Sequence, residues 1–188
     1  MDEDRKAHAG GGYPGAGFVP APCSLYPVIS SCQTGAVNLW IIGYGNCHRR
    51  DDGVGCYIAD QLMMRYGAVA DIHILSLHQL GPELAEDLQA ASGIVFIDAV
   101  QGELSGRSRW RRIRPVVDMA GVSHTLTAEA LLGLTQLLYS RCPPAWMVSI
   151  QGWDFDFGEG LSRTAAVNAM LAITEISSFI DCRLKDAV

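Results

Sequence analysis

The chain has 188 residues, of which 49% are hydrophobic, a length and apolar content that suit one globular domain with a sizeable core. A formal net charge of −6 gives no electrostatic footprint for nucleic acid, and the arginines gather in one short run between Arg107 and Arg114. The six cysteines include no Cys-x-x-Cys pair, which excludes a zinc knuckle or a thioredoxin-type motif and points to reduced thiols in a cytoplasmic protein.

Residues 1–36 hold Gly10 to Gly12, Pro14, Pro20, Pro22 and Pro27 with little periodicity, and read as a Gly/Pro-rich, flexible extension. Nothing in the chain reads as a membrane span or a secretory leader. Residues 37–188 form the second unit, an α/β domain. Val37 to Gly43 is an almost unbroken apolar run, as a strand buried on both faces of a parallel sheet requires. Val54, Ile58, Leu62 and Tyr66 then recur every fourth residue along one side of a helix ending at Gly67.

Ile72 to Leu77 reads as the second strand, Pro82 to Ala91 as a helix with proline in its first turn, and Gly93 to Asp98 as a third strand. Arg109 to Val117 reads as a charged edge strand, and its basic run as a solvated edge. A helix over Thr127 to Tyr139 is expected to turn Leu131, Leu134 and Leu138 inward. A strand follows over Ala145 to Ile150. Trp153 to Gly160 is a turn-rich loop, and Ser162 caps a long last helix carrying Ala166, Met170, Ile173 and Ile180. Alternating strands and helices imply right-handed crossovers, hence a three-layer α/β/α sandwich around a mostly parallel twisted sheet.

The most informative segment joins the first strand to the first helix. Gly43-Tyr44-Gly45-Asn46 leads through Cys47-His48-Arg49-Arg50 into Asp51-Asp52-Gly53-Val54-Gly55. Carboxylates at a helix start are easily held ionised, because unpaired amides and the helix dipole favour negative charge there. One acid would suffice as a cap; two acids among four glycines suggest a loop that presents a carboxylate.

In such a sheet, ligands bind beyond the carboxyl ends of the strands, where the strand order reverses. Asp52, Asp98 at the end of the third strand, and His124 just before a helix all map there. Two carboxylates and an imidazole form an oxygen, oxygen, nitrogen set suited to nickel, zinc, cobalt or iron. Each has an ordinary reading as well, Asp98 as a capping acid and His124 as a helix-flanking histidine. Asp98 is the harder to dismiss, because a charge interrupting an apolar strand must be solvated, paired or coordinated. His48 is a second histidine close to Asp52, whereas His73 and His78 flank the second strand and read as structural.

Gly43-Tyr44-Gly45 lacks the third glycine of a dinucleotide fingerprint, so no nucleotide cofactor is expected. There is also no Gly-x-Ser-x-Gly elbow, His-Glu-x-x-His helix or Walker phosphate loop. Cys47 and Cys56 are poor nucleophiles beside the acidic turn, since carboxylates disfavour the thiolate.

Taken in order, these motifs resemble the hydrogenase maturation proteases, endopeptidases that trim the C-terminus of the nickel-iron hydrogenase large subunit. The family's Gly-x-Gly-Asn, four residues, two acids and Gly-x-Gly appears as Gly43 to Gly55 with its spacing intact. Also similar are His78-Gln79-Leu80, Pro82 to Glu86, Phe96-Ile97-Asp98-Ala99, His124 with Leu126-Thr127, and Phe157 to Ser162, so the likeness runs from about Asn38 to Ile180. Gly81 and the N-terminal extension depart from the pattern.

The resemblance implies that Asp52, Asp98 and His124 bind metal, with Asp52 and Asp98 catalytic, supported by the loop residues Gly43, Gly45, Asn46, Asp51, Gly53 and Gly55. It implies nickel carried by the substrate, a site open to other divalent cations, and the large-subunit precursor as partner, cut after nickel insertion. Whether catalysis is of metallo- or aspartate type stays open at this stage. A non-catalytic chaperone that senses nickel in the precursor is the alternative, and a small-molecule hydrolase on a similar scaffold a more distant one.

Overall fold

The computed structural model describes residues 37–102, 104, 108–117 and 126–186. The extension expected over residues 1–36 lies outside them, as does His124. Five strands form one sheet: β1 (Leu39–Tyr44), β2 (Ile72–Leu77), β3 (Gly93–Gln101), β4 (Ser108–Ile113) and β5 (Ala145–Gly152). Their order is β2-β1-β3-β5-β4, parallel throughout except for β4, which runs antiparallel to β5 at the edge. The helices are α1 (Val54–Tyr66), α2 (Leu84–Leu88), α3 (Ala128–Tyr139) and α4 (Arg163–Asp186).

Two cores lie on opposite faces of the sheet. On one, Val54, Ile58 and Leu62 of α1 and Ala169, Ala172 and Ile176 of α4 cover Ile41, Val95, Ile97 and Val148. On the other, Leu84 and Leu88 of α2 and Leu131 and Leu132 of α3 cover Ile42, Ile94, Phe96 and Met147. The three-layer α/β sandwich expected from the sequence is the fold found. Its interior is apolar on both sides of each central strand, so β1 and β3 need continuous rather than alternating hydrophobic runs.

Several elements differ from expectation for identifiable reasons. The β4 strand stops at Ile113, because Pro115 has no amide to donate to a ladder. The α2 helix keeps only five residues; its flanks run in tighter turns, with the Ala85 amide on the Pro82 carbonyl and the Ala91 amide on that of Leu88. In α3, Leu138 is 59% exposed and Leu132 takes the inward place beside Leu131. In α4, Met170 is 64% exposed, and the inner face is built from Ala165, Ala169, Ala172, Ile176 and Ile180. By length and composition α4 is apolar enough to cross a membrane, against the expectation of no such segment, but 44% of its most apolar window is buried in the fold. Packed on α1 and β5, it serves as a core helix.

Candidate functional site

The sheet reverses direction between β1 and β3: the chain leaves β1 through α1 to reach β2 on one side, then returns past β1 to form β3 on the other. Pairing between β1 and β3 ends at Gly43 and Ile97, while β3 stays paired to β5 as far as Gln101. Asp98 is therefore the first residue of β3 beyond its β1 neighbour, where the strand ends part and the turn after β1 crosses.

That turn packs without clearance. A Cβ on Gly55 would come within 2.4 Å of the Ile97 carbonyl oxygen and 2.5 Å of that of Tyr44, so α1 starts directly against the sheet. Gly45 has φ +142°, and a Cβ there would meet the Asp52 carbonyl oxygen at 2.0 Å. A 3-10 turn over Arg50–Gly53 carries both acids.

The two neighbouring carboxylates have different roles. Asp51 is fully buried and accepts four hydrogen bonds, from the amides of Trp153 (2.9 Å), Asp154 (3.0 Å) and Ser162 (2.7 Å) and from the Ser162 hydroxyl (2.9 Å). Burial alone would raise its pKa, but these donors outweigh it and hold the carboxyl below the usual range. Ser162 also caps α4, its Oγ accepting from the Ala165 amide. Asp51 thus fastens the turn to the loop before α4 and to the helix itself. Around it the Arg50 amide donates to the Gly158 carbonyl, the Gly158 amide to that of His48, and the Arg50 guanidinium pairs with Asp154.

Asp52 stays on the open side. Its Oδ2 accepts from the Asn46 amide at 3.1 Å, while Asn46 Oδ1 accepts from the His48 amide at 2.9 Å, which fixes the span between them. Asp98 is pushed up to about 6, first by burial and further by the charge of Asp52, against hydrogen bonds from the Tyr44 hydroxyl and the Ala99 amide. Burial and the same Asp98 contact raise the Tyr44 hydroxyl's pKa, so it stays protonated and donates. The sequence had offered no role for Tyr44; its place between Gly43 and Gly45 at the end of β1 is the only signal.

The fold brings Asp52 and Asp98 within electrostatic reach of each other at the strand crossover. Asp98, raised toward neutral pH beside a second carboxylate, is suited to exchange a proton there. The pair also fits a divalent cation, because a positive charge would offset the burial and repulsion that make Asp98 reluctant to ionise. Among the described residues no group of three His, Cys, Asp or Glu side chains is gathered to hold a metal, so His48 does not complete a set with the two acids. Cys56 is pushed up to about 12, mainly by burial rather than by the neighbouring carboxylates.

No family model matches the chain, and no curated protein matches it. Solved structures do. The NiFe hydrogenase maturation protease HycI from Thermococcus kodakarensis is similar at 19% identity and a TM-score of 0.61, over 78% of this chain and 94% of that one. The hydrogenase maturating endopeptidase HybD from E. coli gives 18% and 0.64, over 77% and 93%. A hydrogenase 2 maturation peptidase from a Thaumarchaeota archaeon gives 16% and 0.56, over 77% and 98%. The likeness at these identities is one of fold, and it spans almost the whole of each of those proteins.

Proposed function

We propose that this chain is an endopeptidase that removes a C-terminal peptide from the precursor of a nickel-iron hydrogenase large subunit after nickel has been inserted. The observation that carries the reading is the meeting of Asp52 and Asp98 where β1 and β3 part, within a fold shared with hydrogenase maturation proteases.

Nickel enters this scheme as part of the substrate. Asp52 and Asp98 engage it through carboxylate oxygens, with His124 as the third donor, a set that other divalent cations also suit. The metal supplies polarisation of the scissile carbonyl or of an attacking water. Asp98, pushed up to about 6, exchanges a proton readily near neutral pH. The Tyr44 hydroxyl orients the Asp98 carboxyl, and Asp51 holds the turn that aims Asp52. The workplace is the cytoplasm, the partner is the precursor, and neither membrane, nucleic acid nor nucleotide takes part.

Incubating the purified protein with nickel-loaded precursor and weighing the product tests the reading. The wild type is expected to release a C-terminal fragment, whereas Asp52→Ala and Asp98→Ala variants of unchanged circular dichroism leave the precursor whole. A wild-type protein that binds the precursor without changing its mass overturns the protease reading and makes the chain a nickel-sensing chaperone.

A further inference from the structure

The loop between β5 and α4 holds two aromatic side chains in solvent. Phe157 is 84% exposed and Trp153 52% exposed, whereas Phe155 between them is half-buried, its ring so near the backbone that a Cβ on Gly152 would meet it at 2.8 Å. The loop itself is firmly held. Asp51 accepts from the amides of Trp153 and Asp154, and Asp154 Oδ1 accepts from the Asp156 amide at 3.2 Å. The Gly158 amide donates to the His48 carbonyl, and the Arg50 amide to that of Gly158. Arg49 Nε donates to the Phe155 carbonyl at 3.1 Å, and the Arg49 guanidinium stands 5.6 Å from the centroid of the Phe157 ring. Rings left in water on an ordered backbone gain little within the chain, but they are ready anchors for another molecule because the loop is already in place.

Position identifies that molecule. The loop leaves the carboxyl end of β5, the strand whose Ser149 lies in register with Asp98, and the Arg49 carbonyl accepts the Asp52 amide at 3.0 Å. The rings therefore border the turn that presents Asp52, at the same edge of the sheet as both acids. His48 and Arg49 on the turn and Asp156 and Glu159 on the loop are exposed as well, so charges of both signs surround the aromatic centre. An apolar centre within a mixed polar rim is the anatomy of a surface that binds a polypeptide, with apolar side chains on the rings. We propose that Phe157 and Trp153 dock the C-terminal segment of the precursor through its apolar side chains, beside the acids that cut it; the choice of occupant rests on the protease reading above. Seating the segment on a fixed loop holds the bond to be cut near Asp52 and Asp98, which spares the reaction part of the entropy of bringing them together.

The test titrates fluorescently labelled, nickel-loaded precursor with the full-length protein, initial anisotropy reading the affinity and mass spectrometry of the same samples reading the cut. Phe157→Ala is expected to weaken binding at least about tenfold and Trp153→Ala severalfold, while Phe157→Tyr, which keeps the ring, binds like wild type. A precursor shortened to its mature end should bind all four proteins alike. Equal affinity of wild type and Phe157→Ala for the whole precursor overturns the docking surface, and a cut seen in those samples leaves the protease reading standing. A loss in Phe157→Ala that persists with the shortened precursor overturns the C-terminal segment as occupant. Weakened binding by the variants with no cut by wild type upholds the surface and overturns the protease reading alone, whereas a wild type that binds no precursor overturns both.

Discussion

Asp51→Asn replaces one oxygen with an amide nitrogen, and the loss can be worked from the four bonds. Oδ2 accepts from the Trp153 and Asp154 amides and the Ser162 hydroxyl, and Oδ1 from the Ser162 amide. Because every partner donates, asparagine must turn its own NH2 toward a donor whichever way it flips. With its oxygen on the three-donor side, the Ser162 amide is orphaned and the other three bonds lose their charge. Hydrogen bonds to a charged group are worth about 1.5–3 kcal/mol against about 0.5–1.5 for neutral ones, and a buried orphan costs about 1–3 kcal/mol. Cheaper burial of the neutral side chain offsets part of this, leaving a net loss of about 3 kcal/mol. That is a large fraction of the stability of a domain this size. Urea midpoints followed by circular dichroism at pH 7 measure it. The folded pKa of Asp51 lies below its unfolded value, so its contribution is complete above about pH 4 and is lost as pH falls through the folded value. The gap between wild type and variant should therefore narrow near pH 3. Equal midpoints at pH 7, or a gap that widens on acidification, would refute the assignment of Asp51 as the fastening.

Asp98 carries the opposite sign: its folded pKa of about 6 lies above the unfolded value, so folding loses stability as pH rises from about 4 to 6. Asp98→Asn is expected to be more stable than wild type by about 3 kcal/mol at pH 7.5 and indistinguishable from it near pH 4, read from urea midpoints at both values. Gly55→Ala forces a methyl against the Ile97 and Tyr44 carbonyl oxygens and should cost about 2–3 kcal/mol by displacing the start of α1. A thermal midpoint equal to wild type would show that the approach of α1 to the sheet is looser than described.

Much of this architecture could be read from the chain because hydrophobic runs and the turn residues agree. Ile72–Leu77 appears as β2 with the expected bounds, and the four-residue spacing of Val54, Ile58, Leu62 and Tyr66 is the buried face of α1. What misleads is size. Along α4 the large Met170 draws attention as a core residue, yet alanines face the sheet because a close approach needs small side chains, and the methionine is left at the surface. In α3, Leu131 and Leu132 are adjacent, and periodicity alone does not tell which leucines complete the inner face. The paired acids pose the same difficulty more sharply. Asp51 and Asp52 are chemically identical neighbours, and only donors from Trp153, Asp154 and Ser162, remote in sequence, make one a buried fastening and leave the other open. Asp98 was marked by its interruption of an apolar strand, but the tuning it receives from Tyr44 depends on β1 and β3 lying side by side.

The donors that hold Asp51 lie 102 to 111 positions further along the chain. During synthesis on the ribosome, β1, β2 and β3 can come together well before Trp153 and Ser162 have been translated. Until those residues arrive, the bend after β1 has a carboxylate that must stay hydrated and so cannot settle into its final shape. The shape of the bend after β1 thus depends on a stretch of chain that is made last, so a truncation before Trp153 removes every donor that holds Asp51.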